Sequence, residues 1–121
     1  MDKFRGLFRK IVLPIYWAFL TYMLLKPGIE NQEYWFMFPG IDKIIHLSIF
    51  AFLGFCISIS FIRLHFFYFL LIILLYGIST EVLQEVMGLG RSFEFLDILA
   101  DILGSLIGYI IYKFVLKYFF N

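Results

Sequence analysis

The sequence is short of charge and of cysteine, and both shortages limit what the protein can be. Only 16% of its 121 residues are charged, whereas 63% are hydrophobic and 22% are aromatic. A soluble domain averages about 25% charged residues, and a small domain cannot hide this much apolar surface in a core. The single cysteine, Cys56, excludes an intramolecular disulfide. The net charge of +1 gives no reason to expect a nucleic-acid partner. A lipid bilayer is therefore the expected surrounding.

Four long apolar stretches occupy positions 8–25, 41–62, 66–86 and 95–118. Each is close to the roughly 20 residues that a membrane-spanning helix needs, and none shows the alternation of a barrel strand. Backbone groups in lipid must bond within their own segment. The sequence predicts an all-α, four-helix transmembrane bundle that forms a single domain over residues 1–121.

The first stretch follows a basic N-terminus that resembles a signal peptide, but no small-residue cleavage site follows it. We expect it to be a retained span, with its basic side chains snorkelling to the interface and Pro14 near the helix start, where a missing N–H is harmless. The connecting segments carry more Lys and Arg on the side of both termini than on the other side. The positive-inside rule then predicts that both termini are cytoplasmic.

Polar side chains recur at helical spacing in three of these segments, always near the predicted external end. Each ionisable group costs roughly 2.5–3.5 kcal/mol at the centre of a membrane helix, so such groups usually serve a function. We expect them to converge on one polar pocket that opens outward. Gly104 and Gly108 form a notch of the kind that lets two helices approach closely. The residues concerned are Asp42, His46, Glu81, Gln84, Glu85, Asp97 and Asp101.

Each candidate has a functional and a structural interpretation. His46 is either a proton carrier or a helix-end histidine bonded to Asp42 or to a neighbouring carboxylate. Glu81 and Gln84 either bind a polar ligand or make interhelical hydrogen bonds, which are worth only about 0.6 kcal/mol on average in membranes. The catalytic candidates are Asp42, His46, Glu81 and Asp101. The ligand-binding candidates are Lys43, Gln84, Arg91, Ser92 and Asp97.

Two of these candidates have a simple electrostatic alternative, and a metal is a further possibility. Arg91 suits an anionic ligand group but equally suits an ion pair with a nearby acid. Asp97 lies in the first turn of its helix, where the helix dipole favours an acid. Carboxylates and imidazole suit Zn²⁺ or Mn²⁺, so a divalent ion on Asp42, His46, Glu81 and Asp101 is chemically possible. Their spacing matches no metal-binding motif, and no metal is assigned.

Three ordered motifs resemble those of the VanZ-like family. The first is Phe38-Pro39-Gly40-Ile41-Asp42-Lys43-Ile44-Ile45-His46, followed by Phe50 and Leu53-Gly54. The second is Glu81-Val82-Leu83-Gln84. The third is Gly90-Arg91-Ser92-Phe93-Glu94, followed by Asp97-Ile98-Leu99-Ala100-Asp101 and then Gly104 to Gly108. Asp101 stands where many relatives have Asn, which adds a negative charge.

The resemblance implies a small multi-pass protein of the bacterial cytoplasmic membrane, and some relatives are linked to teicoplanin resistance. We expect an envelope protein whose outward-opening pocket binds an amphiphilic or lipid-linked ligand and modulates susceptibility to glycopeptide antibiotics. An intramembrane hydrolase or transferase acting on a lipid-linked substrate is the alternative. A small transporter or assembly partner is a third possibility. The sequence leaves the oligomeric state open.

Overall fold

The fold is built from long helices. The computed structural model describes residues 2–25, 41–87 and 95–119, with the backbone alone at positions 41 and 42. Within these ranges we number the helices α1 (Asp2–Leu25), α2 (Ile41–Ser60), α3 (Phe66–Val86) and α4 (Phe95–Phe119). All four are long and apolar enough to cross a membrane, and no strand occurs in the described part of the chain. The all-α prediction and the four predicted spans are confirmed.

Helix α1 begins earlier than predicted, and its proline lies inside it. The helix starts at Asp2 and passes through a π-helical stretch at Phe8–Val12, where the N–H of Leu13 donates to the carbonyl of Phe8. Pro14 follows directly. Proline has no N–H and its ring clashes with the carbonyl four residues before it, so the wider π turn suits this position. The prediction that Pro14 lies at the helix start is wrong.

Helices α2 and α4 run parallel to each other and meet along a seam of glycines. A Cβ placed on Gly104 would collide with the carbonyl oxygen of Leu47, and one placed on Gly108 would collide with that of Ala51. From the other side, a Cβ on Gly54 would lie 2.5 Å from the carbonyl oxygen of Ser105. These positions hold glycine because the two backbones leave no room for a side chain. The notch predicted at Gly104 and Gly108 brings α4 against α2.

Helix α1 packs against the bundle through aromatic and hydroxyl groups. The Tyr16 hydroxyl donates to the carbonyl of Ile49 on α2 at 2.6 Å, and the hydroxyls of Thr21 and Tyr76 lie 2.6 Å apart between α1 and α3. Trp17 packs edge-on against the Tyr76 ring. These contacts surround an apolar core formed by Leu13, Leu20, Leu24, Phe50, Leu53, Cys56, Ile57, Phe69 and Ile73.

Large apolar side chains cover much of the outer surface of the bundle. Ile15, Tyr22, Leu75 and Ile110 are each more than half exposed. A water-soluble protein rarely exposes apolar patches of this extent, whereas lipid tails solvate them. The inside of the bundle, in contrast, holds several ionisable side chains, among them Glu81, Asp97 and Asp101. An apolar outside around a polar inside is the arrangement expected of a protein in a bilayer.

Candidate functional site

The centre of the polar cluster is an imidazole–carboxylate pair between α2 and α4. His46 lies near the start of α2, and its Nδ1 is 2.8 Å from Oδ1 of Asp101. An ionised Asp101 carboxylate can only accept hydrogen bonds, and in that state Nδ1 is the donor of this contact. The bond fixes the ring and leaves Nε2 free of Asp101. Both side chains are buried, with His46 6% and Asp101 1% exposed.

Helix α3 makes room for this pair with a glycine. A Cβ on Gly77 would lie 3.2 Å from Oδ2 of Asp101, closer than ordinary packing permits. Gly77 precedes Glu81 by one helical turn, so the same face of α3 first accommodates Asp101 and then presents Glu81. Gly77 was not among the predicted site residues. The available signal was a glycine four positions before an acid inside an apolar helix.

Two further acids lie close to the His46 imidazole. Oδ2 of Asp97 lies 3.9 Å from Nε2. One ligand atom each from His46, Glu81 and Asp97 all lie within 4.8 Å of one another. Glu81 is fully buried. Three helices therefore contribute to one cluster, which we call the acidic cluster: Lys43, His46, Glu81, Asp97 and Asp101.

The acidic cluster carries more acid than base. Nζ of Lys43 is 2.9 Å from Oδ1 of Asp97, and this is the cluster's one reliably cationic group among the described residues. Three carboxylic acids thus meet one lysine and one histidine, and all three acids are buried. Charge of this kind in a membrane is balanced by protons, by a bound cation or by a cationic ligand group.

A divalent metal would find donors here, and Asp97 joins His46 and Glu81 among them. His46, Glu81 and Asp97 supply the nitrogen and oxygen ligands that Zn²⁺ or Mn²⁺ accepts. Asp101 would then orient the imidazole from behind, as carboxylates commonly do at histidine metal sites. Lys43 competes, since its ammonium group already neutralises Asp97. The arrangement can also bind a polar ligand or transfer protons through His46.

Hydroxyl groups near the cluster are engaged elsewhere. Ser105 donates to the carbonyl of Asp101 at 2.8 Å, and Thr80 donates to the carbonyl of Gly77 at 3.0 Å. Ser48 bonds to the carbonyl of Ile44 in the same way. Each of these hydroxyls satisfies a carbonyl of its own helix and is not bonded to His46. Below His46, the Phe50 ring lies parallel to the imidazole and closes the site toward the apolar core.

Other predicted site residues lie apart from the cluster or outside the described residues. The side-chain amide of Gln84 donates to the backbone carbonyl of Leu24, at the end of α1. It thereby satisfies one of the carbonyls that a helix C-terminus leaves without a partner. The side chain of Asp42 lies outside the described residues, as do Arg91 and Ser92. Their predicted roles stay predictions.

Comparison with known proteins places the chain in a family. The family model described as VanZ/LLP1 matches residues 2–117. The chain belongs to the VanZ/LLP1 family. This match covers the four helices except for the last two residues of α4, and it includes every residue of the acidic cluster, so the resemblance seen in the three motifs is confirmed. Neither the curated proteins nor the solved structures gave a match to this chain. The protein is thus a VanZ-like protein with helices suited to a membrane.

Proposed function

We propose that this VanZ-like protein binds the polar part of an amphiphilic envelope molecule at the acidic cluster and thereby modulates susceptibility to teicoplanin-type glycopeptides. Positive-inside orientation puts the start of α2, the end of α3 and the start of α4 at the outer leaflet. A ligand entering there would meet Lys43 first. His46, Glu81 and the two aspartates would then bind its polar atoms.

The observation that carries the proposal is the burial of Glu81 and Asp101 beside His46. A hydrogen bond between membrane helices is worth about 0.6 kcal/mol on average, whereas each buried charge costs several times as much. The free energy gained from helix association is therefore too small to offset the burial of three acids. A glycine seam already holds α2 and α4 together. The cluster destabilises the bundle and is not needed for helix packing, so binding of a ligand explains it best.

An intramembrane enzyme is the second candidate, and the His46–Asp101 pair favours it. A histidine oriented by a carboxylate through Nδ1 presents Nε2 as a general base. The described hydroxyls near the cluster are bonded to their own helices, which gives no support to a serine or threonine nucleophile. The nucleophile would therefore be an activated water molecule or a group of the substrate itself. A lipid-linked envelope substrate would suit this depth.

The test compares two neighbouring glutamates of α3. Glu81 is fully buried in the cluster, whereas Glu85, one turn further, is exposed. Cells that express Glu81→Gln should lose the effect of the native protein on teicoplanin susceptibility, because the substitution removes a buried charge and keeps the side-chain size. Cells that express Glu85→Gln should behave as native. Equal membrane levels of the three proteins are the control, and native behaviour of Glu81→Gln would refute the proposal.

A further inference from the structure

A second polar site lies at the opposite end of the bundle. A cleft of about 450 Å³ is lined by residues from α1, the last residue of α2 and the turn that joins α2 to α3. Three of its lining residues are arginines, and none is acidic. The full lining is Arg5, Arg9, Ser60, Phe61, Ile62, Arg63 and Leu64.

Arg5 is held rigidly at the base of this cleft. It is only 7% exposed, which is unusual for an arginine. Its Nη1 donates to the carbonyl of Ile59 at 2.8 Å and its Nη2 donates to the Tyr112 hydroxyl at 3.3 Å. A cation at the C-terminal end of α2 is favoured by the helix dipole. Arg5 therefore joins three helices and neutralises the end of α2, and this leaves Arg9 and Arg63 to attract an anion.

The other two arginines stand on regular backbone. Arg9 belongs to the π-helical stretch of α1, and π turns of this kind occur frequently at functional sites. Arg63 lies in a tight turn in which Phe61 N–H donates to the Ile57 carbonyl at 3.0 Å and Leu64 N–H donates to the Phe61 carbonyl at 3.2 Å. The backbone of both arginines is therefore already ordered without a ligand.

A buried hydroxyl in the cleft lacks a partner. Ser60 is 1% exposed, and its Oγ makes no hydrogen bond to any of the described residues. A polar group buried in this way normally has a partner. Ser60 ends a membrane-spanning helix, and the neighbouring Phe61 and Ile62 are exposed apolar side chains. The cleft thus combines guanidinium groups and an unsatisfied hydroxyl with a rim of exposed apolar side chains.

We propose that this cleft binds the phosphate group of an anionic phospholipid. Guanidinium groups pair with phosphate oxygens through two parallel hydrogen bonds, and Ser60 would donate a further one. The apolar rim favours a phosphate that carries acyl chains over free phosphate. Positive-inside orientation puts the cleft at the cytoplasmic leaflet, which is the one rich in anionic lipid. The site is separate from the acidic cluster and does not depend on its function.

The test measures lipid binding to the purified full chain in detergent by native mass spectrometry. Phosphatidylglycerol is the probe, phosphatidylcholine is the zwitterionic comparison, and inorganic phosphate is a separate arm. Phosphatidylglycerol should bind at least tenfold more tightly than phosphatidylcholine. Arg9→Gln and Arg63→Gln should each weaken its binding about tenfold, and Ser60→Ala should weaken it about threefold.

The matched control is Lys10→Gln, which removes the same charge from the residue beside Arg9 but outside the cleft lining. It should change phosphatidylglycerol affinity less than twofold. Arg5 is left intact because its loss would endanger the fold, and unfolding temperatures confirm that each variant is native-like. An equal loss of phosphatidylglycerol affinity in Lys10→Gln would show that the arginines act only through non-specific electrostatic attraction. That result would overturn the proposed site. Equally tight binding of phosphatidylcholine or of inorganic phosphate would overturn the assignment to an anionic lipid.

Discussion

The glycine seam between α2 and α4 makes a quantitative prediction about stability. A Cβ on Gly54 would lie 2.5 Å from the carbonyl oxygen, 2.8 Å from Cα and 3.0 Å from the carbonyl carbon of Ser105. Real Cβ atoms essentially never approach closer than 3.0 Å, and ordinary contact begins near 3.4 Å. All three obstacles are backbone atoms, so no side-chain rotation relieves the clash. Gly54→Ala must therefore push the two helices apart by about 0.5–1 Å, the difference between these distances.

The cost follows from that displacement. A gap of about 0.5–1 Å forfeits a quarter to a half of each dispersion contact along the seam, and overpacking of a tight interface typically costs about 1–3 kcal/mol. The higher helix propensity of alanine offsets up to about 1 kcal/mol of this cost. We expect a net loss of roughly 1–2 kcal/mol. For a chain of this size, that loss lowers the unfolding temperature by roughly 5–10 °C.

Gly6 provides the matched control for this prediction. It also lies within a helix, but a Cβ there would have nothing within 4 Å. Gly6→Ala should therefore leave the unfolding temperature unchanged or slightly raised. The assay is thermal unfolding of the purified proteins in one detergent, followed by tryptophan fluorescence. Equal unfolding temperatures for Gly54→Ala and Gly6→Ala would refute the close approach of α2 and α4.

Two further predictions concern the acidic cluster. Lys43→Gln removes the ammonium group that lies 2.9 Å from Asp97, so the purified variant should bind more Mn²⁺ or Zn²⁺ than the native protein after equilibration and removal of free metal. Unchanged metal content would show that Lys43 and a metal do not compete. Asp101→Asn keeps an acceptor oxygen for His46 Nδ1 and removes one buried charge, so its unfolding temperature should stay close to that of the native protein. Asp101→Leu leaves His46 without its partner and should lose about 1–3 kcal/mol; equal stability of the two variants would contradict the pairing.

The helices were largely predictable from the sequence because their ends coincide with changes in polarity. The predicted segment 66–86 matches α3, and the segments 41–62 and 95–118 differ from α2 and α4 by two residues or fewer at either end. The start of α1 was missed because its basic residues were interpreted as a flank. Arg5 was expected to snorkel, but it is buried against Ile59 and Tyr112. Contacts to such distant positions leave no local signal in the sequence.

The common inward orientation of the polar residues was also foreseeable, but their partners were not. Helical spacing places His46, Glu81 and Asp101 on inward faces, since charged groups avoid lipid. Which carboxylate bonds to His46 depends on how closely α2 and α4 approach, and the partner is Asp101, 55 positions away. Gln84 shares the inward face of Glu81, yet the end of α1 takes up its amide. Periodicity identifies the face of a helix but does not identify its neighbours.

The most direct test of the central claim is the same substitution at the two histidines. Asn in place of His46 can still donate to Asp101 from the Nδ1 position, but it removes the Nε2 atom that faces Asp97. Asn in place of His65 keeps an acceptor for the Phe67 N–H at the start of α3. At equal membrane levels, His46→Asn should show the teicoplanin susceptibility of cells without the protein, whereas His65→Asn should match the native chain. Native susceptibility in His46→Asn would contradict the account.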